Sequence, residues 1–259
     1  MQSESVVYDT IGREYAQYRR PDERIAAAIA AALGDARSVA NIGAGTGSYE
    51  PSDRAVVAVE PSGIMIAQRP AGAAPAVQAS AENLPLEDAS FDACLAVLTM
   101  HHWTDWRAGV AEMLRVARRR VVVLTWDPEH QGFWLYRDYF PDALELDRII
   151  FAPVREVARE LGGAEVRILP VPHDCTDGFF GAYWRRPGAY LDDGVRSAIS
   201  TFSRLPNVEA RIDRLRRDLE SGAWAERNGE IRALDELDTG YRLVVAQRTR
   251  CDGEGVPAP

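Results

Sequence analysis

Gly43, Gly45 and Gly47 stand at alternate positions just after the apolar run Val39–Ile42, in the stretch VANIGAGTGSYEP. Glycine carries no Cβ, so such a turn, with Asn41 and Ala44 in it, lets main chain approach a ligand closely. Glu60 ends the next apolar run, 17 residues after Gly43. A carboxylate at that place can accept two hydrogen bonds from a ribose diol. Further on, ASAENLPL spans residues 79–86, where the small residues Ser80 and Ala81 precede the acid Glu82. They can offer a backbone N–H and a carboxylate to the edge of a flat heterocycle. The pair His101-His102 follows another apolar run, Phe91–Leu98, and histidine suits a base near neutral pH. Together these residues describe a nucleoside-binding turn with a proton acceptor beside it.

Elimination narrows the ligand. The dinucleotide fingerprint G-x-G-x-x-G requires a glycine at position 48, which is Ser48. All 30 basic residues are arginine, which removes the lysine that a P-loop or a pyridoxal site needs. No Cys/His cluster has zinc spacing and no G-x-S-x-G is present. The net charge of −9 argues against nucleic acid as a partner, and no apolar run is long enough to span a bilayer. Cys94, Cys175 and Cys251 are few, odd in number and far apart, as expected of reduced thiols in a cytoplasmic protein.

The elements that must position these residues alternate in type. Asp22 caps a helix carrying Ile25, Ile29 and Leu33, which Gly34 ends. Strands are expected at Val39–Ile42, Val56–Val59, Ala76–Gln78, Phe91–Leu98 and Val121–Leu124. Helices are expected after Pro61-Ser62, across Val110–Ala117 and at Val154–Leu161. Arg118-Arg119-Arg120 reads as a solvated turn. Val166–Val171 and Tyr241–Gln247 (YRLVVAQ) complete the strands, the last one antiparallel. Strands alternating with helices mean a mostly parallel sheet covered on both faces. Between the last two strands, residues 175–235 form an insertion with two helices, one over Val195–Leu205 and one over Val208–Leu219. It is expected to be a lid. Residues 1–259 read as one domain, with residues 252–259 as a flexible tail.

The glycine turn, VEPS, AENLP and SFD occur in this order between Val39 and Trp103. There the sequence resembles the class I S-adenosylmethionine-dependent methyltransferases, in particular their small-molecule, type 11-like group. The resemblance implies a Rossmann-like, seven-stranded sheet whose last strand is antiparallel. It also implies S-adenosylmethionine as cofactor, with S-adenosylhomocysteine as product. Asn41, Gly43, Ala44, Gly45 and Gly47 would line the methionine part, and Glu60 would hold the ribose. Pro61, Ser62 and Met65 would lie near the adenine, with Ser80, Ala81 and Glu82 at its edge. Backbone at Val97 and Leu98 would meet the amino group. Asn41 departs from the acid usual in the family, and Ser80 from its frequent Asp. Residues 1–21 resemble the family's N-terminal lid segment, with Tyr15, Tyr18 and Arg19 closing over the cofactor and Arg19 pairing its carboxylate.

Methyl transfer from a sulfonium is an in-line displacement, so the protein must align the reactants, exclude water and take up a proton. Neighbouring side chains at a strand end point opposite ways, so one histidine of the pair is expected to face the cavity. We take this to be His101, with Asp127 after the next strand as its orienter. Trp103, Phe180, Tyr183 and Trp184 are candidates for a flat acceptor's pocket. The expected partner is a small-molecule acceptor, with the protein a monomer or homodimer. Two other readings are a non-catalytic S-adenosylmethionine-binding shell, which requires a blocked cavity, and a nicotinamide oxidoreductase.

Overall fold

The computed structural model describes residues 18–248. Tyr15, Cys251, most of the segment expected as an N-terminal lid and the expected tail lie outside them. Seven strands form one sheet in the order β3-β2-β1-β4-β5-β9-β6. They are β1 (Ser38–Ile42), β2 (Ala55–Val59), β3 (Ala76–Val77), β4 (Phe91–Val97), β5 (Ala117–Trp126), β6 (Glu165–Ile168) and β9 (Tyr241–Gln247). The first five run parallel. Strand β9 inserts antiparallel between β5 and β6, from Arg120↔Gln247 to Trp126↔Tyr241. This is the Rossmann-like arrangement with one reversed strand.

Alternation along each strand builds two apolar layers. Val39, Ala93, Leu95, Val122 and Leu124 face the layer that holds Ile25, Ile29 and Leu33 of α1 (Glu23–Leu33). Ala40, Cys94, Ala96, Val121 and Val123 face Val110 and Met113 of α3 (Trp106–Val116), while α2 spans Gly63–Ala67. Burying one Leu or Ile contributes roughly 1.5–3 kcal/mol. A one-residue slip would exchange the two layers, so the register is firmly specified. Asp22 caps α1 by accepting the Arg24 N–H at 3.0 Å.

The Arg118-Arg119-Arg120 run is not a turn. Strand β5 begins at Ala117, with a register shift opposite Phe91 and Ala93. The guanidiniums reach back to the sheet's rim. Arg118 donates to the Ala89 carbonyl, Arg119 pairs with Asp35 at 2.9 Å, and Arg120 donates to the Ala32 carbonyl at the end of α1. Their partners come from distant segments, which is why local polarity misled.

Between β5 and β6 the chain forms α4 (Trp134–Asp138), α5 (Pro141–Ile150) and α6 (Val154–Glu160), of which only the last is expected from the sequence. The expected strand Val166–Val171 splits. Val171-Pro172, as β7, pairs instead with β8, Glu236-Leu237, in a two-stranded sheet. The insertion is more broken than two helices. It contains α7 (Asp193–Ser197), α8 (Ser200–Ser203), α9 (Val208–Ser221) and α10 (Ala223–Asn228), with two 3₁₀ turns.

Helix α5 carries Asp147, which is 2% exposed and accepts the Tyr136 hydroxyl at 2.6 Å. Burial pushes its carboxyl from 3.8 up to about 7, against the opposing hydrogen bond and the charge of Arg204. The folded state therefore holds this proton more tightly than the unfolded chain. The resulting stability is full below about pH 4 and is lost as pH rises through about 7. The melting temperature of the wild type relative to Asp147→Asn is expected to fall across that window, as measured by thermal melts at stepped pH.

Candidate functional site

The strand order reverses between β1 and β4, and open α/β sheets bind ligands outside the carboxyl ends of the strands at such a point. The glycine turn after β1 and the segment after β4 meet there. The Gly43 and Ala44 N–H groups both donate to the Val59 carbonyl, at 2.8 and 3.1 Å. Gly43, Gly45 and Gly47 have φ of 66°, 54° and 97°, a region open to glycine without strain. A Cβ on Gly43 would stand 2.0 Å from the Thr99 hydroxyl oxygen.

Glu60, 7% exposed, accepts the Gly45 N–H at 2.8 Å on one carboxylate oxygen and the Ser62 N–H at 2.9 Å on the other. The acid at the end of β2 thus braces the turn, and each oxygen retains acceptor capacity for a ligand hydroxyl. Asn41 donates its amide to Glu50 at 3.1 Å, and Glu50 pairs with Arg69 at 2.7 Å. Arg69 also donates to the Gly45 carbonyl at 3.2 Å. An acid therefore stands beside Asn41 after all, with its charge engaged by Arg69. Nothing in the spacing of Glu50 and Arg69 announces this pair.

These elements surround a cavity of about 340 Å³. Of the residues singled out from sequence, Arg19, Asn41, Gly43, Ala44, Gly45, Glu60, Pro61, Ser62, Met65, Val97, Leu98, His101, His102, Trp103 and Phe180 line it. Thr46, Ser48, Tyr49, Thr99, Phe151, Phe179, Ile199, Ser200, Thr201 and Tyr241 join them. The insertion does reach the cavity, through Phe179, Phe180 and Ile199–Thr201. Phe151, just beyond α5, belongs to a segment with no expected element.

Several expected members lie elsewhere. Gly47 is outside the lining, and a Cβ there would meet Arg69 and Glu50 at 3.2 Å. Ser80 is exposed, and Ala81 is buried in the layer around α3. The Glu82 carboxylate accepts the Thr104 and Asp105 N–H groups, at 2.8 and 3.2 Å, and so braces the entry to α3. Tyr18 is outside the lining; its carbonyl accepts the Gly178 N–H at 2.8 Å. Arg19 does line the cavity, but its Nε is held by Asp177 at 2.6 Å. Tyr183 lies under the Arg186 guanidinium, and Trp184 is fully buried with its indole N–H on the Val171 carbonyl at 2.8 Å. The aromatic run therefore divides, with Phe179 and Phe180 at the cavity and the rest in the core.

Both histidines line the cavity, contrary to the expectation of one. Strand geometry ends at Val97, Leu98 has φ 48°, and Met100–His102 form a 3₁₀ turn. With three residues per turn, neighbouring side chains are no longer opposed. The two rings are 3.8 Å apart between centroids, and His101 stacks on Phe151 at 4.3 Å. His101 lines the cavity and is half-buried. Burial first, then His102, Arg204 and Arg19, hold its pKa well below the ordinary value, so it is neutral at physiological pH. Asp127 does not orient it. That carboxylate accepts the Glu129 N–H at 3.1 Å and faces Arg242 at 3.8 Å, because the chain turns away after β5. An aromatic ring, not an acid, holds His101.

A family profile described as a methyltransferase domain matches residues 40–125. A search of curated proteins finds no match. Among solved structures, one from Anabaena variabilis ATCC 29413, described as a candidate methyltransferase of an antibiotic biosynthesis pathway, is 37% identical. The match covers 89% of this chain and 99% of that one, with a TM-score of 0.82. A methyltransferase of Thermotoga maritima, described as a possible histamine N-methyltransferase, is 17% identical over 95% of this chain and 98% of that one, at TM-score 0.54. A geranyl diphosphate C-methyltransferase of Streptomyces coelicolor A3(2), solved with S-adenosyl-L-homocysteine, is 15% identical over 88% of this chain and 77% of that one, at TM-score 0.50. The last two likenesses are of fold.

Proposed function

Because the chain belongs to the class I S-adenosylmethionine-dependent methyltransferases, we propose that it methylates a small, flat, uncharged acceptor at a proton-bearing atom, with His101 taking the proton. The cofactor, when bound, supplies a methyl group on positively charged sulfur. The residues present suit it. Glycines at positive φ bring bare main chain to the cavity wall, and Glu60 keeps acceptor capacity beside them. Gly43, Ala44, Gly45 and Asn41 would hold the methionine part, and Glu60 the ribose hydroxyls. Pro61, Ser62 and Met65 would flank the adenine, and main chain at Val97 and Leu98 would receive the amino group.

The acceptor end supports the rest of the reading. Phe151, Phe179, Phe180, Ile199 and Tyr241 give it apolar and aromatic walls. Glu60 is the only carboxylate among the described lining residues, and it belongs to the turn. A cationic amine would find no further carboxylate among these described lining residues. The observation that carries the proposal is the pair of touching imidazoles at this aromatic end, His101 neutral by burial. A neutral imidazole is free to accept a proton from a hydroxyl as the nucleophile forms, although the same burial makes it a weaker base than a free imidazole; general-base catalysis contributes typically about 10²–10⁴-fold. A cavity of about 340 Å³ is within the ~300–1,000 Å³ typical of ligand sites and runs against a blocked, non-catalytic shell. The net charge of −9 likewise favours a small molecule over nucleic acid. Among the described residues, no helix is long and apolar enough to cross a membrane.

The test is His101→Leu against the wild type, over a panel of phenols, amines and carboxylic acids. We expect S-adenosylhomocysteine to bind both proteins alike by calorimetry. Its release with a phenolic acceptor is expected to fall about 100-fold or more in the variant. Turnover confined to amines, or undiminished in His101→Leu, overturns the proposal.

A further inference from the structure

Tyr49 follows the glycine turn directly and lines the cavity, yet it is only 6% exposed. Its φ is 62°, a left-handed conformation that bulky residues rarely adopt. A residue held there is over-determined by its surroundings: the ring packs in the apolar layer around α1, and polar partners hold its hydroxyl. The Tyr49 hydroxyl donates to one oxygen of Asp177 at 2.9 Å and accepts the Asp22 N–H at 3.2 Å. The other Asp177 oxygen accepts Nε of Arg19, which reaches the cavity. Asp177 is 2% exposed. Burial, then the Asp177 charge, raise the phenol's pKa, so it stays a donor at all working pH.

One buried carboxylate thus joins three segments: the turn, the chain before α1 and the start of the insertion. The main chain repeats the junction. Arg19 and Asp177 form an antiparallel bridge, the Gly178 N–H donates to the Tyr18 carbonyl, and the Thr176 N–H donates to the Asp22 carboxylate at 3.1 Å.

We propose that Tyr49 is a positioning residue that ties the cofactor turn to Arg19 through Asp177, so that filling the turn and fixing Arg19 at the cavity wall are energetically one event. The proposal rests on the cofactor reading of the turn. Tyr49→Phe keeps the ring in place and removes both hydrogen bonds of the hydroxyl. The Asp177 oxygen and the Asp22 N–H then lose their partner, and both the turn and Arg19 gain freedom that a ligand must remove.

The experiment is a double-mutant cycle read by calorimetry with S-adenosylhomocysteine, on the wild type, Tyr49→Phe, Arg19→Met and the double variant. We expect each single change to raise Kd about tenfold, the scale of one hydrogen bond to a charged group. The double change is expected to be no worse than the larger single one. Additive losses, or a lowered melting temperature with Kd unchanged, overturn the proposal and leave a merely structural tyrosine. Should Tyr49→Phe fail to fold, Asp177→Asn replaces it, keeping an oxygen acceptor without the charge. Hydrogen exchange on the ligand-free protein separates this proposal from the cofactor reading. Faster exchange at the Thr176 and Gly178 amides in Tyr49→Phe supports the tie even if the cofactor reading were to fail; unchanged exchange overturns the tie even where the wild type binds S-adenosylhomocysteine.

Discussion

Gly43→Ala is expected to abolish detectable S-adenosylhomocysteine binding and to lower the melting temperature by about 5–15 °C. Two causes add. The new Cβ would stand 2.0 Å from the Thr99 hydroxyl oxygen and 2.9 Å from two Thr99 carbons, so Thr99 or the turn must move. Overpacking of this kind costs about 1–3 kcal/mol. The left-handed backbone at φ 66° costs an alanine roughly 1–2 kcal/mol more. For a chain of this size, each kcal/mol shifts the midpoint by about 2–4 °C. Binding suffers more than stability, because the relief available is for the turn to swing away from β4, which opens the cradle. Thr99 itself provides the control. Thr99→Ala in the Gly43→Ala background removes the nearest atom and should recover part of the lost stability. Gly45→Ala, whose Cβ would meet only the flexible Met65 side chain at 3.4 Å, should melt closer to the wild type. Equal melting temperatures for the two alanine variants would show that Thr99 does not shape the turn.

Glu60→Ala is expected to raise the Kd for S-adenosylhomocysteine by about 100-fold or more. Two hydrogen bonds from a diol to a charged acceptor are worth roughly 1.5–3 kcal/mol each, and about 1.4 kcal/mol is a factor of ten. The structure adds a second consequence. Because the carboxylate also holds the Gly45 and Ser62 N–H groups, its removal orphans two partly buried donors, each worth about 1–3 kcal/mol. The melting temperature should therefore fall as well, so damage to both properties does not argue against a ribose role. Glu60→Gln separates the effects. Its amide oxygen can keep one of the two turn contacts, so stability falls less, while the lost charge still weakens the diol bonds. Calorimetry beside thermal melts reads both quantities. An unchanged Kd in Glu60→Ala would remove Glu60 from the ribose site.

What was legible in the sequence is what short-range chemistry controls. Short unbroken apolar runs, caps such as Asp22 and Ser62, and a glycine triplet after an apolar strand act within a few residues of themselves. From them came the parallel sheet, the reversed YRLVVAQ strand, the glycine turn at the cavity and the acid ending β2. The family resemblance rested on the same stretch. Where neighbours several residues away decide, the sequence misled or said nothing. Glu82 had the right type and place for a heterocycle edge, but the free N–H groups of Thr104 and Asp105 claim it. Trp184 and Phe180 belong to one aromatic run, and only packing distinguishes the indole in the core from the ring at the cavity. Both histidines face inward because β4 ends one residue earlier than the apolar run suggests and gives way to a 3₁₀ turn. Phe151 behind His101, Arg69 on Glu50 and Asp177 on Tyr49 join residues far apart in the chain. Such contacts exist because a close-packed interior leaves each side chain one compatible set of neighbours, and that set is written in no local period.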